Sequence, residues 1–208
     1  MRCIPLLAAA LALQAQAPEL PRPSALERAV VQELSDMRWR PKVYVKYFRE
    51  LRPYYEGRIL RLPERMAIKT EEGVKALDEA IAFLESVEPA GPLRWNDGLW
   101  RAARELAFEQ AGSGGTGHVG SRGSRMRERL DRQGTLGSAA GECIYYGTED
   151  ARMIAIQLVV DDGVPDRGHR RTIFSFDLHQ AGAALAPHPQ WGQVCVIDFA
   201  DGFTPTRK

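Results

Sequence analysis

Helical periodicity and strand-like alternation occupy different parts of this sequence, and a glycine-rich run divides them. Apolar residues recur at helical spacing in three segments before residue 111, whereas residues 181–200 alternate or run apolar as strands do. Between them, residues 112–123 (GSGGTGHVGSRG) hold six glycines and one histidine, so the backbone there makes turns that other residues disfavour. Helices first and strands last predict an α+β domain rather than a parallel βαβ array.

The first helix opens at Ser24, whose spacing to Glu27 is that of a capping box, and carries Leu26, Val30, Leu34 and Met37 on one face. Arg40-Pro41 ends it, because the residue before proline is pushed out of the α region. The Tyr- and Arg-rich stretch that follows, with Tyr44, Tyr47, Tyr54 and Tyr55, reads as a solvated charged face. A second helix starts near Thr70 with Val74, Leu77, Ile81, Leu84 and Val87, and stops at Pro89 and Pro92. A third runs from an Asn96 cap to about Gln110. Beyond the glycines, Ser124 to Gln133 reads as a short basic helix and Glu142 to Tyr146 as a strand. Residues 148–160 open with a cap residue yet are rich in β-branched side chains, so helix and buried strand both stay open. Ala181 to Leu185 and Gln193 to Ala200 read as strands flanking a turn at Pro187 to Pro189.

The amino terminus has the layout of an export signal. Arg2 supplies a positive start, Ile4 to Leu13 is an apolar run of ten, and Ala15-Gln16-Ala17 has the small-x-small spacing of a cleavage site. Ten apolar residues cover about half of a bilayer core as a helix, so this is read as a leader and not an anchor. The expected organisation is a signal peptide at 1–17 cleaved near 15–17, a proline-rich spacer at 18–23 and a single domain at 24–208, secreted or periplasmic, with no transmembrane segment in the mature chain. Removing the leader takes Cys3 and leaves Cys143 and Cys195. In an oxidising compartment they are a candidate disulfide; two buried free thiols are the alternative.

A formal charge of +1 lacks the excess that a nucleic-acid binder needs to neutralise phosphates. The cluster Arg122, Arg125, Arg127, Arg129 and Arg132 is interrupted by Glu128 and Asp131 and has no interleaved aromatics, so it reads as a solvated, salt-bridged helix. Two glycine patterns, from Gly112 and from Gly115, match the dinucleotide fingerprint but follow a helix instead of a strand, which argues against a nucleotide.

Three polar residues stand out. His118 lies in the glycine loop, Glu142 follows Gly141 at a strand start, and His169 lies in Arg167-Gly168-His169-Arg170. Imidazoles plus a carboxylate suit zinc or another divalent cation. Without metal, the same groups could shuttle protons near neutral pH.

These residues also carry a resemblance. Gly117-His118-Val119-Gly120-Ser121-Arg122-Gly123 resembles the GH-x-GSDG stretch of bacterial CAP-domain proteins, the superfamily of cysteine-rich secretory, antigen 5 and pathogenesis-related proteins. Gly141-Glu142-Cys143-Ile144 is similar to their GEN[IL] motif, and Arg167 to Ile173 to their GHR-x-N-I segment. The resemblance spans about residues 24–200. It implies a three-layer α-β-α sandwich with a mainly antiparallel central sheet, and a cleft where two histidines and two acids form a tetrad able to hold a divalent cation. His118, Glu142 and His169 would be three of its members. Asp161, Asp162 and Asp166 compete for the fourth place, with Asp162 the nominated ligand. Cys143 and Thr172 depart from the family's asparagines.

Three functions fit. The chain is read first as a secreted binding module whose His/Glu cleft takes a cation and a peptide, lipid or protein ligand. The alternative is a peptidase-like hydrolase using metal-activated water, or Glu142 as base beside His118 and His169. The third is a structural domain whose His/Glu cluster is a satisfied hydrogen-bond network.

Overall fold

The computed structural model describes residues 22–147 and 150–206. The expected leader, with Arg2, Ala15 and Ala17, and most of the spacer lie outside the described residues. Helix α1 (Ala25–Trp39) begins with the expected capping box, in which Ser24 and Glu27 each accept the other's amide. The second Glu27 oxygen accepts the amide of Leu185, tying the start of the chain to the sheet.

Where the sequence suggested a solvated face, the chain forms α2 (Pro41–Leu51), with Tyr44, Val45, Phe48 and Leu51 buried. Pro41 ends α1 and also starts α2, because proline suits the first turn of a helix, where its missing N–H costs nothing. Three short strands, β1 (Tyr55–Glu56), β2 (Ile59–Leu60) and β3 (Ile68–Lys69), form a small antiparallel sheet. Helix α3 (Val74–Ser86) follows, then β4 (Arg94–Trp95) and α4 (Asp97–Ser113), whose first amides are capped by the Asn96 side chain. Beyond the glycine loop come α5 (Met126–Gln133), β5 (Gly134–Leu136) and β6 (Ala140–Tyr146).

The ambiguous apolar segment is helix α6 (Ala151–Val160), started by the Asp150 carboxylate accepting the Met153 amide. Burial on nearly every side explains why it shows little amphipathic periodicity. Helix α7 (Gly168–Ile173) leads into β7 (Gln180–His188), β8 (Gly192–Ala200) and β9 (Phe203–Pro205). The hairpin is longer than expected. Pro187 and His188 pair with Gln193 and Gly192, so the turn lies at residues 189–191. Proline is tolerated because β4 pairs with β7 only at Gln180 and Ala181 and asks nothing of position 187.

The main sheet runs β4-β7-β8-β6, antiparallel except for β4 against β7, which makes it mainly antiparallel. Alternation along β8 sorts its two faces. Cys195, Ile197 and Phe199 join the core formed with α1, α2, α3 and α6, while Val194 and Val196 pack with Trp100, Ala103, Leu106 and Ala107 of α4. The result is a three-layer α-β-α sandwich. Its α4 layer lies so close that a Cβ on Gly182 would sit 2.1 Å from the Trp100 nitrogen. Among the described residues no helix is long and apolar enough to cross a membrane.

Candidate functional site

The glycine loop is strapped to the body at successive carbonyls and amides. His188 Nε2 donates to the Gly115 carbonyl, the Gly117 amide donates to the Tyr146 hydroxyl, and Gln110 Nε2 donates to the Gly117 carbonyl. The Tyr146 hydroxyl donates in turn to Gln110 Oε1. Gly117 has φ +85°, a conformation open to glycine, and this turn delivers the next side chain outward. That side chain is His118, 56% exposed, with Nδ1 2.8 Å from Oε1 of Glu142.

Glu142 belongs to β6 and is only 3% exposed. Its second oxygen accepts from Arg129 of α5 at 2.5 Å. Arg129 is fully buried and also reaches the Ser124 and His118 carbonyls, so one guanidinium holds both the acid and the loop. The reading of the arginine cluster as solvated therefore fails at Arg129. The signal was its place beside Met126, Leu130 and Gln133 on the inner stripe of α5. Directly across the ladder from Glu142 stands Asp198, which is fully buried and has no hydrogen-bond partner for either oxygen among the described residues. Burial, and then the neighbouring Glu142 charge, push its carboxyl well above the usual carboxylate range against the opposing pull of Arg129.

His169 forms a second pair of the same kind. Its Nδ1 lies 2.7 Å from Oδ1 of Asp161, with the ring 24% and the carboxylate 1% exposed. Asp161 closes α6 in the left-handed region at φ +55°, and its Oδ2 accepts the amides of His169 and Arg170. Arg167 anchors the turn from below through Glu72 and Glu79. The nominated Asp162 is elsewhere: its oxygens accept the Glu71 and Glu72 amides ahead of α3. Asp166 pairs with Arg171 at the surface. Of the three aspartates, Asp161 is the one that faces a site histidine.

The structure thus brings His118 to Glu142 and His169 to Asp161, two pairs rather than one triad. They flank β6, because Glu142 and Cys143 point to opposite faces and the Cys143 thiol contacts the His169 carbonyl. Among the described residues, no three His, Cys, Asp or Glu side chains gather as a metal-holding group. Neither imidazole Nε2 has a hydrogen-bond partner among the described residues. Both Glu142 oxygens are engaged, which weakens its casting as a free base.

Cys143 and Cys195 are free thiols, which corrects the candidate disulfide. Cys143 pairs with Ile197 and Tyr145 with Cys195, so the two thiols are diagonal in register. Diagonal ladder positions are about 7–8 Å apart, beyond the Cβ separation a bridge needs. Burial pushes both thiols above the ordinary range, so neither suits a nucleophile.

The model of the cysteine-rich secretory protein family, CAP, matches residues 86–199, more than half of the chain. This chain is a CAP-family protein. The matched span contains α4, the glycine loop, both histidine–carboxylate pairs and the central hairpin. Among solved structures, an outer surface protein from Borrelia burgdorferi is similar at 19% identity and TM-score 0.43, over 56% of this chain and 78% of that one. An extracellular protein containing a SCP domain from Bacillus anthracis is similar at 17% identity and TM-score 0.41, over 61% of this chain and 39% of that one. No curated protein matches the chain.

Proposed function

We propose that this CAP domain is an exported binding module that offers two carboxylate-oriented imidazoles to a divalent cation such as Zn²⁺. The observation that carries the reading is repeated at both sites: Nδ1 faces a buried carboxylate, and Nε2 is left without a partner among the described residues. A carboxylate acceptor fixes the proton on Nδ1 and keeps the Nε2 lone pair available, which is how metal-bound histidines are commonly held. His118 and His169 would hold the cation only by meeting around the outer edge of β6, the last strand of the sheet, while Glu142 and Asp161 set ring orientation and basicity. With no third protein ligand gathered, the remaining coordination positions belong to water or to a bound ligand. Export is supported by the leader-like amino terminus and by the secretory family to which the chain belongs.

Calorimetric zinc titration of the purified chain tests this. One zinc per chain is expected, weakened strongly by His118→Ala and by His169→Ala. Affinity should fall in acid, because an imidazole binds a metal only in its neutral form. His179→Ala is the control, since His179 is exposed and outside both pairs. His188→Ala is no control, because it releases the Gly115 carbonyl. Equal loss in the His179 variant, or no binding by the unaltered chain, overturns the reading.

A further inference from the structure

His188 ends β7 at only 3% exposure, and the two nitrogens of its ring are engaged in opposite roles. Nε2 lies 3.1 Å from the Gly115 carbonyl oxygen, which can only accept, so Nε2 carries a proton. The Gln190 amide, which can only donate, reaches Nδ1 at 3.3 Å, so Nδ1 offers its lone pair. Together the two contacts admit one form of the ring, the neutral imidazole with its proton on Nε2. A charged ring has an N–H on both sides, and its Nδ1–H would meet the Gln190 N–H head-on. The bond to Gly115 survives that change. The bond to Gln190 does not.

The surroundings offer a charged ring little. Among the described residues no carboxylate pairs with His188. From β6 it faces Tyr146, edge-on with ring centroids 5.5 Å apart, and burial raises the Tyr146 pKa, so that phenol stays neutral. Gln110 of α4, also uncharged, stands behind the Tyr146 hydroxyl. The glycine loop brings Gly114 and Gly115, with Pro189 Cγ 3.2 Å from where a Gly114 Cβ would be. Charged side chains enter only with the groove of about 790 Å³ that Gln190 and Trp191 share with Arg65, Lys69 and Asp150, and Arg65 pairs with Asp150. A buried charge without a partner is costly, so the weakest attachment gives way.

That attachment is the turn. The pairing of His188 with Gly192 and of Pro187 with Gln193 holds the ends of β7 and β8, which confines movement to residues 189–191. The turn carries Trp191, 52% exposed, with its ring 6.5 Å from that of Tyr146. Gln190, Trp191 and Gly192 form one wall of the groove.

We propose that His188 is an acid-sensitive latch on the turn at residues 189–191. The neutral ring holds the turn through the Gln190 amide. When Nδ1 takes a proton from water that bond is lost, and the turn swings out, carrying Trp191 away from Tyr146 and widening the groove. The glycine loop stays tied through Nε2 of His188 and the Tyr146 hydroxyl, so His118 keeps its place while the groove changes.

The latch uses neither histidine pair, so its test is run in chelator. The full chain is followed by NMR from about pH 8 to about pH 5, the span over which imidazoles commonly charge. As the ring carbon shifts of His188 report its ionisation, protection of the Gln190 amide, relative to an unstructured chain, is expected to fall about tenfold or more. The NOEs between the Trp191 and Tyr146 rings should disappear with it. The Gly117 amide, on the Tyr146 hydroxyl, and the Gly147 amide, on the Gln193 carbonyl, should keep their protection. His188→Asn keeps the latch shut, because an asparagine oxygen accepts the amide two residues on and cannot charge. Its turn should stay in place in acid. A His188 ring that ionises while Gln190 protection and the ring contacts stay unchanged overturns the proposal, as does a ring that stays neutral until the chain unfolds. Loss of protection at Gly117 or Gly147 in step with Gln190 also overturns it, because the loop or the ladder then opens with the turn. So does an asparagine variant that responds to acid as the parent does; should that variant not fold, the titration of the parent chain decides alone.

Discussion

Asp198 puts a carboxyl at an inward position of β8 where Val194, Val196 and Ala200 are apolar. It faces Glu142 on β6; burial is the leading cause of its raised pKa, the charges of Glu142 and of Glu105 on α4 raise it further, and Arg129 of α5 opposes them. A carboxyl raised by folding binds its proton more tightly in the native state than in the unfolded one. Its contribution is complete below the ordinary carboxylate range and is lost as pH rises above it. Asp198→Asn stays neutral throughout, so the parent chain should lose stability relative to this variant as pH rises from about 4 to 8, by no more than ~1.4 kcal/mol per pH unit. Thermal melts across that range check it, and parallel profiles would remove Asp198 from the account. This residue was legible only in part: its place in the apolar alternation is visible in the sequence, but its partner sits 56 positions away and is supplied by register. His118, Glu142 and His169 were legible from glycine context and motif. Asp161 was not separable from Asp162, because which of two adjacent carboxylates turns inward depends on the left-handed backbone that closes α6.

Elements were read best where one face is apolar and a cap marks the start, as in α1 and α4. Helix α2 escaped because its buried Tyr44, Val45, Phe48 and Leu51 are interleaved with basic residues and its proline looked like a stop signal alone. Helix α6 stayed ambiguous because burial on nearly all sides erases the period. Close approach between layers is invisible to periodicity altogether. Gly182 makes the point, since an added Cβ would meet the Trp100 nitrogen at 2.1 Å and the Leu99 carbonyl carbon at 2.7 Å. Both are backbone atoms and cannot rotate aside. Gly182→Ala should therefore lift α4 from β7 and cost about 3 kcal/mol or more, at the upper end of overpacking penalties. Urea unfolding measures it, and a loss under ~0.5 kcal/mol would mean that the α4 layer yields.

At the scale of the molecule, one arginine joins segments that the sequence keeps far apart. Arg38 near the end of α1 is fully buried, and its guanidinium donates to the carbonyls of Ala90, Gly91, Ile173 and Leu178. The Ala90 amide returns a bond to the Arg38 carbonyl, so the connection after α3 is held twice. Those carbonyls belong to the α3–β4 connection, the end of α7 and the approach to β7, and the planar fork reaches them together. Among the described residues no carboxylate is a hydrogen-bond partner of Arg38, and burial lowers its pKa to about 10. Arg38→Met leaves four inward-facing carbonyls without a donor, at ~1–3 kcal/mol for each buried group left unpaired. That loss is comparable with the whole ~5–15 kcal/mol stability of a domain, so the variant should be largely unfolded at 25 °C. Arg38→Lys keeps the charge but has three donors on one nitrogen and cannot span the same fork. It should fold with a lower urea midpoint and show its fastest new amide exchange at residues 90–93 and 173–178, where the lost bonds were. A lysine variant as stable as the parent would mean that water or a shifted backbone replaces the fork, and that Arg38 does not join the layers.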